Sequence, residues 1–227
     1  MKRLILVSTL IFFSVSLLHA QDDRPRLGIN LENYDYPFQA KFFSFDSQQQ
    51  TLKMAFMYEE ADNPAGKNIL LFHGKNFNGA YFGRTMDVLL EEGYNVLVPD
   101  QVGFGKSDKP GYYHYTFQQL AKNTKELVDS LGIDRTIVLG HSMGGMLAAR
   151  FSLMYPETVE TLVLENPIGL EDWKKKVPYQ GVDRWYQQEL DKTRESVKQY
   201  MAKSYYDNNW KPAYDEWLYL RTGFIGS

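Results

Sequence analysis

Between residues 68 and 165, short apolar runs alternate with stretches whose apolar residues recur at helical spacing. Asn-Ile-Leu-Leu-Phe at 68–72, Val-Leu-Val at 96–98, Thr-Ile-Val-Leu at 136–139 and Thr-Leu-Val-Leu at 161–164 are nearly continuous apolar runs. Such runs mark strands covered on both faces. Residues 81–92 carry Met86, Val88, Leu89 and Leu90 and stop at Gly93, and residues 117–131 carry Leu120, Leu127, Val128 and Leu131 and stop at Gly132. Residues 143–155 close before Pro156. A glycine or proline just past the last periodic position is a helix stop. Upstream, 38–45 and 51–58 alternate roughly apolar and polar around Asp46-Ser47-Gln48, which predicts a hairpin. Residues 21–36 are polar and read as a lead-in. The predicted fold class is α/β, with a mostly parallel sheet and helices on both faces.

From Ile168 onward the pattern changes. All four tryptophans and seven of the sixteen tyrosines lie here, no strand-like run appears, and 182–206 has a helical pattern. A helical excursion over 168–227 is expected. Trp185, Tyr186, Leu190, Val197, Tyr200 and Met201 are expected to pack its own core, with the lining of an apolar substrate pocket as the competing reading. Lys174-Lys175-Lys176 reads as a solvated face.

The N-terminus reads as an address. Lys2 and Arg3 precede an apolar stretch over 4–18 that ends in Leu18-His19-Ala20, followed by Gln21-Asp22-Asp23-Arg24. This is the pattern of a secretory signal peptide cleaved after Ala20. The stretch is short for a membrane span, and an uncleaved anchor is the competing reading. The organisation expected is a signal peptide over 1–20, an α/β core over 21–167 and a helical segment over 168–227. The mature protein is expected to be periplasmic or secreted, with no membrane attachment.

Composition narrows the chemistry. With 44% hydrophobic and 23% charged residues the chain is an ordinary globular one. Its formal charge of −3 falls to −5 once Lys2 and Arg3 are removed, so electrostatics gives no reason to expect nucleic acid as a partner. The absence of cysteine excludes disulfides, thiolate metal sites and a cysteine nucleophile. No metal-binding spacing is present, and neither metal nor cofactor is expected. Oligomeric state is not encoded in any pattern visible here.

Gly140-His141-Ser142-Met143-Gly144 matches G-x-S-x-G. Five residues of this kind are weak evidence alone, but here they follow a strand and open a helix, the setting of a nucleophile elbow. Gly140 and Gly144 remove side chains that would block a close strand–helix approach. The Met143 amide then sits at a helix N-terminus, suited to a developing oxyanion. His73-Gly74 after the first buried strand makes a tight turn that aims amides at the same point, with His73 itself read as a structural, hydrogen-bonded histidine. Asp100-Gln101-Val102-Gly103-Phe104-Gly105-Lys106-Ser107 reads as a structural loop capped by Asp100 and Ser107; it lacks the spacing of a phosphate-binding loop.

These three pieces, in this order, resemble the α/β-hydrolase fold superfamily over about residues 36–167. The superfamily includes esterases, epoxide hydrolases, dehalogenases and C–C hydrolases. The resemblance implies that Ser142 is the nucleophile, that the amides of Met143 and Lys75 form the oxyanion hole, and that 168–227 begins a cap. It also implies an acid and then a histidine after the serine. The histidines are His19, His73, His114 and His141, and none follows Ser142. The chain is therefore expected to be truncated relative to the superfamily and, as it stands, largely inactive, since a serine without a base is a poor nucleophile. Glu165, at the end of the run 161–164, is the one acid candidate, because certain haloalkane dehalogenases place the acid there. The competing reading is a polar residue that binds loop amides. The resulting expectation is an exported serine hydrolase acting on an ester or related acyl bond of a small molecule. The alternative is a non-catalytic ligand-binding or interaction protein on the same fold.

Overall fold

The computed structural model describes residues 24–63 and 65–225; the expected signal segment lies outside them. Strands β1 (Lys41–Ser47), β2 (Gln50–Glu59), β3 (Lys67–Phe72), β4 (Tyr94–Pro99), β5 (Thr136–His141) and β6 (Val159–Glu165) form one sheet. Their order is β1-β2-β4-β3-β5-β6. β3 to β6 run parallel, whereas the β1–β2 hairpin joins antiparallel at the β4 edge. The sheet is thus mixed but mostly parallel, as expected.

Period two sorts each central strand between two cores. Leu70, Phe72, Leu97 and Val138 face a core shared with helices α2 (Phe117–Ser130) and α3 (Met143–Met154). Ile69, Leu71, Val96 and Val98 face the other side, where Met86 of helix α1 (Gly83–Glu91) packs. Continuous apolar runs are required because both faces are buried. Thr116 caps α2 by accepting the Gln119 amide at 3.1 Å. At the far edge, β6 pairs only with β5 among the described residues, and Leu162, Val163 and Leu164 are 37–38% exposed.

After β6 come α4 (Trp173–Lys176), α5 (Val182–Leu190), α6 (Arg194–Tyr205) and α7 (Asp215–Thr222). The helical pattern over 182–206 is two helices rather than one. Thr193 accepts the Ser196 amide and its own amide donates to Ser196 Oγ, a capping box that starts α6 afresh. Val197 and Met201 are buried with Leu218, but Trp185, Tyr186, Leu190 and Tyr200 are 44–64% exposed. Only part of the expected inner core of this segment forms.

The polar lead-in is not a passive one. Leu27 and Leu31 bury against Tyr219 and Leu220 of α7. Arg24 pairs with Glu216 at 2.7 Å and its guanidinium lies 3.7 Å over the Tyr219 ring. Tyr219 Oη donates to Pro25 O, and Leu27 N donates to Gly223 O at 3.0 Å. Two leucines one helical turn apart in a polar stretch give no run long enough to read as an element, yet they suffice to strap α7 down.

Candidate active site

The turn between β5 and α3 carries Ser142 at φ 56° and ψ −117°, a conformation that costs a non-glycine residue about 1–3 kcal/mol. Hydrogen bonds hold it there. Ser142 N donates to Glu165 O at 3.1 Å, while Gly145 N and Ile168 N donate to Ser142 O at 3.0 and 3.2 Å. The two flanking glycines are sterically required. A Cβ on Gly140 would lie 2.2 Å from Gly144 O, and one on Gly144 would lie 2.1 Å from Phe72 O. The helix therefore rests directly on strand backbone, and the serine is left half-buried at the top of the sheet.

Two amides adjoin it. Met143 opens α3, so its N–H has no acceptor within the helix. Lys75 lies in the turn after β3, closed by Phe77 N donating to Gly74 O at 3.1 Å, and its own N–H has no acceptor among the described residues. A Cβ on Gly74 would sit 3.2 Å from Ser142 Cβ, so this turn touches the serine.

No histidine completes the arrangement. His141 is half-buried with its ring 5.7 Å from that of Phe77, and neither it nor His73 nor His114 hydrogen-bonds Ser142 among the described residues. Glu165 lies opposite His141 in the β5–β6 register; its carbonyl takes the Ser142 amide and its carboxylate is exposed without a described partner. The structure thus brings Ser142, Met143, Lys75, His141 and Glu165 to one end of the sheet but connects none of their side chains to the serine hydroxyl. Among the described residues, no group of three His, Asp or Glu side chains is placed to hold a metal, and no helix is long and apolar enough to cross a membrane.

His73 and Asp100 hold the floor. The His73 ring is buried, its Nε2 accepts the Gln101 amide at 3.1 Å, and its Nδ1 therefore carries the proton, 3.0 Å from Gly74 O. Burial lowers its pKa from the ordinary value. Asp100 accepts from Gly79 N at 2.6 Å, Lys106 N at 2.7 Å and Tyr36 Oη at 2.6 Å, and Ser107 Oγ donates to its carbonyl at 2.6 Å. Both residues play the structural parts expected of them. Tyr36, which the lead-in supplies, was not foreseeable from spacing, since 64 residues separate it from Asp100.

The His73 contact makes stability pH-dependent. The folded pKa lies below that of the unfolded chain, so the unfolded chain binds the extra proton as pH falls through about 6.5. Stability should drop below that pH by up to about 1.4 kcal/mol per unit, on top of any carboxylate effects. Urea midpoints at pH 7 and 5.5 should fall more for the wild-type chain than for His73→Asn; equal falls would assign the effect elsewhere.

Beside the 75–78 turn, α5 to α7 roof a cavity of about 570 Å³ whose other walls are the 103–105 loop and the strap residues Ile29 and Leu31; Lys75 lines it, whereas Ser142 and Met143 do not. Tyr81 packs at a tilt against Trp217, ring centres 4.2 Å apart, Asn76 Nδ2 donates to Tyr205 Oη at 2.8 Å, and Lys75 pairs with Glu189 at 3.0 Å. These contacts tie roof to floor. Sequence reasoning missed Asn76, Glu189 and Arg221 because their significance depends on packing across more than a hundred residues.

The family pattern described as alpha/beta hydrolase fold matches residues 67–216. Lipase 3 of Moraxella sp. (strain TA144) is 31% identical over 181 residues, covering 78% of this chain and 55% of the lipase. A 2-hydroxy-6-oxo-6-phenylhexa-2,4-dienoate hydrolase of Burkholderia cepacia is 28% identical over 152 residues, covering 65% of this chain and 53% of that enzyme. The crystal structure of a probable hydrolytic enzyme from Pseudomonas aeruginosa superposes with a TM-score of 0.86 at 48% identity, over 89% of this chain and 65% of that one. The chain thus spans about half the length of the curated relatives it matches.

Proposed function

Because the chain belongs to the alpha/beta hydrolase fold family, we propose that it is an exported serine hydrolase that cleaves an ester or related acyl bond of a small molecule. The observation that carries the reading is Ser142 held at positive φ on a strand–helix turn, beside the free amides of Met143 and Lys75. The likeness to a lipase supports an ester as the bond attacked. The cavity that Lys75 borders has a volume within the roughly 300–1,000 Å³ usual for small-molecule sites.

In this mechanism Ser142 Oγ attacks the carbonyl carbon while a base removes its proton. The two amides donate to the oxygen that becomes negative, where preorganised donors are worth most. Collapse expels the alcohol, which takes the proton from the base, and leaves an acyl-serine. Water then repeats the sequence and releases the acid. The proposed base is a histidine other than His73, His114 and His141, none of which reaches Ser142 among the described residues. Glu165, at the end of β6, is the acid proposed to orient it.

The protein made from its complete reading frame is expected to react with a fluorophosphonate at Ser142. The 227-residue chain alone is expected to react orders of magnitude more slowly, because only the amides and binding remain to assist. No labelling of the complete protein, with an apolar ligand still bound, would instead favour a binding protein on the same fold.

A further inference from the structure

A second cavity, of about 330 Å³, adjoins the first at Gly103, Phe104 and Lys109, which line both. Its remaining walls are Tyr115, Thr116, Phe117, Leu120 and Met143. The polar side-chain atoms around it are already engaged. Lys109 Nζ donates to Asn30 Oδ1, Gly105 O and Ser107 O at 2.7–2.9 Å. Tyr115 Oη donates to Pro110 O at 3.0 Å, and Thr116 Oγ1 accepts the Gln119 amide. What remains is ring, alkyl and thioether surface, which an apolar group covers favourably and a polar one does not.

The walls are held before any ligand arrives. A Cβ on Gly103, at φ 96°, would lie 2.8 Å from Tyr115 Cε1, so the loop backbone rests on that ring. Tyr115 meets Tyr113 edge-on at 4.9 Å, and Phe104 meets buried His73 edge-on at 5.1 Å. Leu120 is buried in the core shared with α3, and Phe117 packs against that core. Walls fixed in advance bind without an ordering cost. Met143 joins this cavity to the chemistry, since its side chain is a wall and its amide opens α3 directly after Ser142. The other amide belongs to Lys75, which borders the first cavity together with Glu189, Lys192 and Arg221. Ser142 lines neither cavity, but the two amides beside it belong to residues of different ones, one apolar and one charged. A carbonyl carbon carries two substituents, and a carbonyl whose oxygen is held by both amides directs them apart.

We propose that the smaller cavity takes an alkyl group of the ester, reaching it past the Met143 side chain, and that Phe117 limits the length of that group. The inference rests on the reading of Ser142 as nucleophile, so occupancy is also measured without catalysis. The protein from the complete reading frame is given two series, methyl esters of acetic to decanoic acid and acetate esters of methanol to decanol. In one series kcat/KM should rise about fourfold per methylene, the transfer gain of a buried CH₂, up to a ceiling. The series whose ceiling responds to Phe117 identifies the acyl or the alcohol side as the occupant. Phe117→Ala should move that ceiling to longer chains and Phe117→Trp to shorter ones. Tyr115→Ala, on the exposed wall, should lengthen it without opening the core, and Lys174→Ala on exposed α4 should not move it. Two flat series, or a ceiling indifferent to Phe117 and Tyr115, would overturn the proposal. Occupancy is read in protein carrying methionine labelled with carbon-13 at its methyl group, with Met143→Leu identifying the Met143 signal. Hexan-1-ol should shift that signal, and shift it less in Phe117→Trp; a signal that does not move would overturn the proposal. A shifted signal in a protein whose ester hydrolysis is absent, or survives Ser142→Ala, would reject the nucleophile and leave the apolar site standing.

Discussion

Ser142→Ala is expected to lower kcat/KM for ester hydrolysis by the complete protein by about 10⁴–10⁶-fold, the range seen when a nucleophilic serine is removed from an intact catalytic unit. The loss should appear in kcat, since the hydroxyl acts only in bond formation. The fold should not suffer. The hydroxyl has no hydrogen-bond partner among the described residues, and alanine inherits the same φ of 56° that the three backbone hydrogen bonds impose. A thermal midpoint within a degree or two of wild type, together with the lost rate, would isolate chemistry from stability. A variant that retains more than about a tenth of the rate would remove Ser142 from the mechanism, because water and amides alone do not reach that level.

The second large effect is structural. Gly144→Ala places a methyl group 2.1 Å from Phe72 O and 2.6 Å from Phe72 C, atoms of a central strand that cannot rotate away. Either α3 lifts from the sheet or β3 shifts against β4 and β5. Overpacking of cores usually costs about 1–3 kcal/mol, and a backbone obstacle should push the loss to about 3–5 kcal/mol, a large share of a typical domain's stability. The matched control is Gly181→Ala, where the added methyl meets nothing within 4 Å. Urea midpoints should collapse for the first and stay unchanged for the second. A Gly144→Ala protein within 1 kcal/mol of wild type would mean that helix and strand are not in the contact described.

The contrast between these two glycines shows where sequence is informative. The strands were legible because Ile69, Leu70, Leu71 and Phe72 all enter cores, so no polar residue interrupts the run. The elbow was legible because its steric demands fall on adjacent positions: Gly140 and Gly144 flank the serine they serve. The strap was not, since Leu27 and Leu31 become apolar partners only once Tyr219 arrives beside them. The hairpin was visible, but its seat beside β4 was not, because antiparallel docking leaves no local mark. Among the proposed site residues, Ser142, Met143 and Lys75 follow from motif order. Arg221 acquires meaning from Asn76, 145 residues earlier, and no spacing announces it. The division of 182–206 at Thr193 was within reach, as a threonine three residues before a serine can form a reciprocal cap.

The strap also bears on the order in which the molecule is assembled. Arg24 meets Glu216 across 192 positions, so on a ribosome the first partner emerges long before the second exists. Sheet and elbow have every local ingredient by the time β6 is made, while Leu27 waits in solvent for α7. Such long-range closures are slow to form because chain entropy opposes them until the last moment. Among the described residues, the roof over the 75–78 turn should therefore be the final piece to lock, and the first to come loose.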